Sequence, residues 1–157
     1  MPPQRHRQKQ QPSPTAQGKK AVSPGRLLAL ADPPGGKRPK WRLELLDLEH
    51  DGKWSWGVDG DALRGILAFL VQMEKTTWAD IVSRGAGNGR RMHHAQPIES
   101  LCPEARARLK QLHLDDRDEM FRFRLGGKLR LWGFLVEDVF YPVWWDPDHK
   151  VYPTENG

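Results

Sequence analysis

The feature that most constrains how this chain can fold lies in its last third. Phe121-Arg122-Phe123-Arg124-Leu125, Leu129–Val136 and Val139–Asp146 each have the alternation and composition of a β-strand. Gly126-Gly127 and Glu137-Asp138 stand at the turns between them. Together they predict a three-stranded antiparallel meander, and polarity predicts its register. A two-residue first turn would set Phe123 against Arg130 and mix apolar with basic side chains on both faces. A three-residue Gly126-Gly127-Lys128 loop with a glycine bulge aligns like with like. One face is then expected to carry Phe121, Phe123, Leu125, Leu129, Leu131, Leu135, Phe140 and Trp144, and to be core. The other is expected to carry Arg122, Arg124, Arg130, Trp132, Phe134, Tyr141, Val143 and Trp145, with arginines at one end.

Upstream, Trp41–Gly57 holds two strand-like runs around Asp51-Gly52, a pair favoured in tight hairpin turns. A helix follows, capped by Asp59 or Asp61, with Leu63, Ile66, Leu67, Leu70 and Val71 at helical spacing. Thr77–Val82 predicts a short helix behind Thr76 as cap. Residues 83–97 read as a Gly-rich basic loop. Ser100 and Pro103 signal a last helix with Leu101, Ala105, Leu109 and Leu112 as its apolar stripe, and with Arg106, Arg108 and Lys110 exposed. The expected fold class is α+β: an N-terminal β-hairpin, two to three helices, then the meander. Residues 41–153 form one domain in this reading and 154–157 a tail.

Charge is divided unevenly. The chain carries a net +5, yet residues 1–40 hold nine Lys/Arg against the single acid Asp32. The rest of the chain therefore has slightly more acid than base. The first 40 residues are rich in Pro, Gln and Gly, and their only apolar run, Arg26–Ala31, stops at Pro33-Pro34-Gly35-Gly36. Such a segment cannot bury enough surface to offset its ordering entropy, so a disordered basic arm is expected at 1–40. Two roles stay open for it: a solubilising tail, or a sequence-independent polyanion contact.

The lone cysteine, Cys102, excludes an intramolecular disulfide and a cysteine-based zinc cluster, and suits a reducing compartment. No apolar run approaches the length of about 18 residues needed to span a bilayer. The basic start lacks the apolar stretch of a secretory signal. A cytoplasmic protein with no membrane partner is expected.

Several residues invite chemistry. Arg90-Arg91 followed by His93-His94 places histidines among arginines, which suits phosphate binding and proton transfer near neutral pH; the plain alternative is an exposed loop. Gly85–Gly89 lacks the strand–turn–helix setting of a dinucleotide fingerprint. His93, His94, His149, Asp146 and Asp148 lack metal-site spacing, so neither metal nor other cofactor is expected. Asp146-Pro147-Asp148 reads as a turn. The acidic run Asp115–Glu119 is a solvated connector or a partner for the sheet arginines. Of the seven tryptophans most should be core, leaving one or two of Trp54, Trp56, Trp132 and Trp145 to stack on a base. With the hairpin covering part of the second sheet face, its arginine end stays open. The expected nucleic-acid contacts are Arg122, Arg124, Arg90, Arg91, His93, His94 and Trp145.

The order of strands, helices and closing meander resembles the RelE/ParE-type toxins of bacterial toxin–antitoxin modules. The residues that carry the likeness are Gly127–Gly133 (GKLRLWG), similar to that family's central strand, and Trp144–Pro153 (WWDPDHKVYP), similar to its closing strand with basic and tyrosine residues. The same ending resembles an uncharacterised group of bacterial and phage-encoded proteins. The toxin resemblance implies RNA or the ribosome as target, an antitoxin protein as partner and, as in the ribosome-dependent members, cleavage of mRNA. By motif, Arg130 would stabilise the phosphorane with support from Lys128. His149 and Tyr152 would serve acid–base or stacking roles, with Asp146 orienting His149. ParE-type relatives act on gyrase, so a protein target is also implied. The rival expectation is a non-catalytic nucleic-acid- or protein-binding module of a phage or mobile element.

Overall fold

The alternating runs do pair as a meander, and the computed structural model, which describes residues 35–154, shows what surrounds it. Most of the expected arm (1–34) and most of the expected tail (155–157) lie outside the described residues. The elements are β1 (Lys40–Trp41), α1 (Gly60–Glu74), α2 (Trp78–Ser83), β2 (His94–Pro97), a 3-10 turn (Ile98–Ser100), α3 (Pro103–Gln111), β3 (Glu119–Gly126), β4 (Leu129–Val136) and β5 (Val139–Asp146). The strands make one sheet in the order β1-β5-β4-β3-β2, antiparallel throughout except that β1 runs parallel to β5.

The first meander turn satisfies the polarity argument by a neighbouring route. Gly126 pairs with Leu129 around a tight Gly127-Lys128 turn, and the extra residue is absorbed between Arg124 and Gly126. Gly126 and Gly127 sit at φ +115° and +48°, where a side chain would be strained. Phe123 then faces Leu131, and Arg124 faces Arg130.

The second turn brings a bulge that periodicity alone does not reveal. Trp132 pairs with Trp144, but Gly133 pairs with Pro142, which leaves Val143 as an extra residue. A Cβ on Gly133 would overlap the Tyr141 carbonyl oxygen and the Phe140 ring, so β5 approaches this closely only because β4 has a glycine there. Pro142 also has no N–H to give to a ladder. The bulge reverses the alternation of β5. Trp144 joins Trp132 on the arginine-bearing face, whereas Trp145 joins Phe123 and Leu131 on the other. This exchanges the two tryptophans relative to the sequence expectation.

Both faces are covered. Phe121, Phe123, Leu131, Phe140 and Trp145 pack under α1 and α2 through Ile66, Met73, Trp78 and Ile81. Met120, Trp132, Phe134, Val143 and Trp144 pack under α3, through Ala105 and Leu109, and under Trp54 of the 42–58 segment. Burial at this scale is the main favourable term in folding.

The expected N-terminal hairpin is absent from the described residues. Lys40–Trp41 pairs with Val139–Phe140, and the chain then crosses the sheet as coil. Beyond Phe140 the edge of β5 offers a proline and a bulge in place of a regular ladder. The Val143 carbonyl instead accepts the Asp47 amide at 3.1 Å and the Trp56 indole N–H at 2.8 Å. Trp54 is drawn fully inside, its ring 5.5 Å from that of Trp144. Here tertiary packing outweighs the turn preference of Asp51-Gly52. The buried Asp47 carboxylate ties the coil down: it accepts Arg108 Nε at 2.8 Å, Arg108 Nη2 at 2.6 Å and Trp144 Nε1 at 2.9 Å. Arg108 is thus half-buried, where the helical pattern had it exposed.

The helices form where expected, with shifted details. Asp59 caps α1 by accepting the Ala62 amide at 2.7 Å. Its buried side is Ile66 and Met73 with Phe69 and Leu70, while Leu63, Leu67 and Val71 point outward. The sheet takes the side bearing Phe69, whose ring lies 5.6 Å from Phe123 and contributes more burial than a leucine. Thr77, not Thr76, caps α2 through the Asp80 amide. The first α2 amides, Trp78 and Ala79, donate to the carbonyls of Lys37 and Gly35 at 2.9 and 3.1 Å. Residues 35–40, assigned to the arm by composition, are therefore hydrogen-bonded to the domain, with Pro39 buried. Cys102 stands at the α3 N-cap without a side-chain bond, while Ser100 Oγ donates to the Pro97 carbonyl.

Gly133→Ala is expected to lower stability by about 1–3 kcal/mol, the usual cost of overpacking, read as a reduced midpoint in urea denaturation. An unchanged midpoint would mean that β5 does not need the glycine to bulge.

Candidate anion-binding site

The Gly-rich basic stretch, read as a loop, folds back on itself and becomes the fifth strand. The Ala86 amide donates to the Arg90 carbonyl at 2.8 Å and the Met92 amide to the Arg84 carbonyl at 2.9 Å. Gly87 and Gly89, at φ +86° and +76°, make the reversal between them. β2 then pairs with β3, His94 opposite Arg122 and Gln96 opposite Met120. Alternation along the strand puts His94 and Gln96 on the arginine face.

A second device comes from the turn after β5. The fully buried Asp146 stands opposite Arg130. Its Oδ1 accepts the Lys150 amide at 2.8 Å, and its Oδ2 accepts the Val151 amide at 3.0 Å and the Trp132 indole at 3.2 Å. Burial raises its pKa against the pull of those hydrogen bonds. The two amides held are those directly after His149, which adopts φ +56°, a conformation few side chains accept. Asp146 thus fixes the backbone at His149, in place of the side-chain contact implied by the toxin resemblance.

These two devices close a cavity of about 500 Å³, lined by Ala86, Asn88, Arg90, Arg91, His94, Gln96, Arg122, Arg124, His149, Tyr152 and Thr154. Four arginines line it and no carboxylate does. Arg122 is held near a pKa of about 10 by burial and by the charges of Arg130 and Arg124. Burial and the same kind of crowding hold His149 down to about 4. His94 is also lowered, by burial first, although its bond to the Ala95 carbonyl works the other way. The tautomer of His94 follows from its partners. Nδ1 lies 3.0 Å from the Ala95 oxygen and must donate to it, which leaves Nε2 to accept from Arg122 Nη2 at 2.6 Å. Arg122 Nε and His149 Nε2 are buried without hydrogen-bond partners among the described residues.

Seven of the residues singled out by sequence meet in this cavity: Arg90, Arg91, His94, Arg122, Arg124, His149 and Tyr152. Four do not. Arg130 is buried beside it, and its Nη1 donates to the carbonyls of Gly127 and Leu129 at 2.7 and 3.0 Å. Lys128 is exposed on the meander turn. His93 is buried on the opposite face, its ring 5.3 Å from Phe123 and its Nδ1 accepting the Arg124 amide at 3.1 Å. Neighbouring residues entering a strand point to opposite faces, so one histidine of the pair serves the core and the other the cavity. Trp145 is carried to the helix-covered face by the Val143 bulge. Sequence reading missed Asn88, Gln96 and Thr154. The His94-x-Gln96 alternation was the available signal, obscured by the glycines beside it.

Among the described residues, no three His, Cys, Asp or Glu side chains come together to hold a metal ion. No described helix is long and apolar enough to cross a membrane. Comparison with models of protein families, with characterised proteins and with solved structures finds no match to the chain.

Two neutral histidines, the buried His93 and the half-buried His149, carry a pH dependence. With folded pKa values near 4 for His93 and His149 and an ordinary value of 6.5 when unfolded, the unfolded chain binds more protons between those limits. Their stabilising contribution is complete above about pH 6.5 and is lost as pH falls toward about 4. His93→Gln is expected to flatten the fall in thermal midpoint across that window. A slope equal to that of the wild type would show that His93 takes up its proton freely in the folded state.

Proposed function

We propose that the protein binds RNA through its phosphates at the arginine cavity and cleaves the strand there, in the manner of a RelE/ParE-like toxin endoribonuclease. The observation that carries this reading is the buried positive charge of Arg122 in a cavity that no carboxylate lines. Arg122 is almost fully enclosed, its neighbours are Arg124 and Arg130, and cationic side chains taken from water call for an anion to offset the cost. Single-stranded RNA supplies phosphates that arginine forks bind well.

The cavity residues suit transphosphorylation. His149, neutral at physiological pH, takes the proton of the 2′-hydroxyl. The 2′-oxygen attacks phosphorus while the bond from phosphorus to the 5′-oxygen breaks. Tyr152 gives its phenolic proton to that leaving oxygen, and a 2′,3′-cyclic phosphate remains. Arg122 and Arg124 hold the non-bridging oxygens, whose charge grows in the transition state. Burial and then the arginine charges weaken His149 as a base; arriving phosphate offsets the second of these, so its basicity rises when substrate is present. Arg130 contributes field from beneath, while its own hydrogen bonds go to backbone carbonyls. The toxin-like reading is supported by helices followed by a meander whose central strand carries Arg130, and it brings an antitoxin protein as partner.

A second reading, a non-catalytic binding module of a phage or mobile element, is favoured by one observation. A histidine held near pKa 4 is a weak base, and RNA binding needs the arginines alone.

Arg124→Ala is expected to slow RNA cleavage about 10²-fold and to weaken RNA binding. His149→Gln should remove cleavage by about 10²-fold or more and leave binding intact, and Lys128→Ala should change neither much. Cleavage at the wild-type rate in His149→Gln would leave only the binding module. Unaltered RNA affinity in an Arg122→Ala/Arg124→Ala double variant would end both readings. Deleting residues 1–34 is expected to flatten the salt dependence of RNA binding without unfolding the domain; unchanged affinity would make the arm a solubilising tail.

A further inference from the structure

We infer that the cavity prefers the terminal phosphomonoester of an RNA strand to an internal phosphodiester, an inference that rests on the phosphate-binding reading above. The first support is charge. Arg90, Arg91, Arg122 and Arg124 line the recess with Arg130 next to them, and no carboxylate lines it. The nearby Asp146 stands opposite Arg130 and offsets that charge, with its oxygens bonded to Trp132 and to the amides of Lys150 and Val151, so the four lining arginines remain without an acid among the described residues. An internal diester brings one negative charge and two non-bridging oxygens. A monoester near neutral pH brings close to two charges, because its second pKa is about 6, and three acceptor oxygens. Guanidiniums that crowd one another gain in proportion to the charge that separates them.

The second support is shape. Arg122 is 8% exposed, so the group that binds it must enter the recess instead of lying across its mouth. An internal phosphate reaches that depth with strand to accommodate on both sides of it, a bend that cleavage in this cavity also requires. A terminal phosphate enters end-on with a single nucleotide behind it. A volume of about 500 Å³ lies in the usual range for one small ligand, and Gln96, Asn88 and Tyr152 add amide and aromatic surface for the sugar and base that follow. Phosphate ends at the 5′ and 3′ termini share this chemistry, and the test separates them.

The full chain is titrated with one short single-stranded RNA in three forms: 5′-phosphorylated, 3′-phosphorylated, and with hydroxyls at both ends. At least one phosphorylated form is expected to bind about tenfold tighter than the hydroxyl form, a margin within reach of one added charge-assisted contact. That margin should shrink in Arg124→Ala, and it should shrink as pH falls through the second phosphate pKa near 6. Enhancement by only one of the two ends supports the inference and identifies the end. Equal affinity for all three forms overturns it, and if that affinity still depends on Arg122 and Arg124, the RNA-binding reading stands without it. Affinity that is indifferent to both arginines removes that reading as well.

Discussion

The missing Cβ at Gly133 is the constraint on which the rest of the structure turns. It lets the β5 backbone approach β4 so closely that Val143 is pushed out of the ladder. One extra residue reverses the alternation of everything that follows. Trp144 goes to the face covered by α3 and the 42–58 coil, and Trp145 to the face covered by α1 and α2. Asp146 is delivered to the arginine face opposite Arg130. Because Asp146 organises the amides behind His149, a backbone contact in the middle of the sheet sets the position of a histidine at its end.

The structure meets the cost of buried guanidiniums in two ways. Arg108 receives both oxygens of Asp47, a bidentate pair that fastens the 42–58 coil to α3 and, through Trp144, to β5. Arg122 and Arg124 are given no such partner. Arg122 bonds to a neutral histidine, and its neighbours are further cations. One solution is closed and holds the fold together. The other stays open to an anion from outside, and the histidine pKa values there are depressed by burial first and then by the arginine charges that such an anion would meet.

One sheet face therefore does two jobs. Its middle, with Trp132, Phe134, Val143 and Trp144, is core under α3 and Trp54. Its end, with Arg122 and Arg124, lies beyond the reach of that cover and is walled instead by β2, the 84–91 reversal and the turn after β5. A rigid sheet with short turns at its rim holds such side chains more tightly than a long loop would. The elements that build the cavity are far apart in the chain, and each is anchored by hydrogen bonds of its own.

The sequence by itself determined the meander, its first register, the three helices and the clustering of arginines on one sheet face. These are legible because period-2 alternation, glycine pairs and helix caps are local signals, carried by residues that touch. It also singled out seven residues of the cavity, five by residue type and position and two, His149 and Tyr152, through the toxin resemblance. What only the tertiary structure decided was where strands pair across long separations. That Lys40–Trp41 would add to β5, that a Gly-rich stretch would become β2, and that Gly133 would force a bulge in a strand ten residues later are outcomes of packing between distant segments. The same packing sent His93 and Trp145 to the core and left Arg130 bonded to backbone carbonyls. Each of these depends on which backbone comes close to which, and no window of neighbouring residues contains that information.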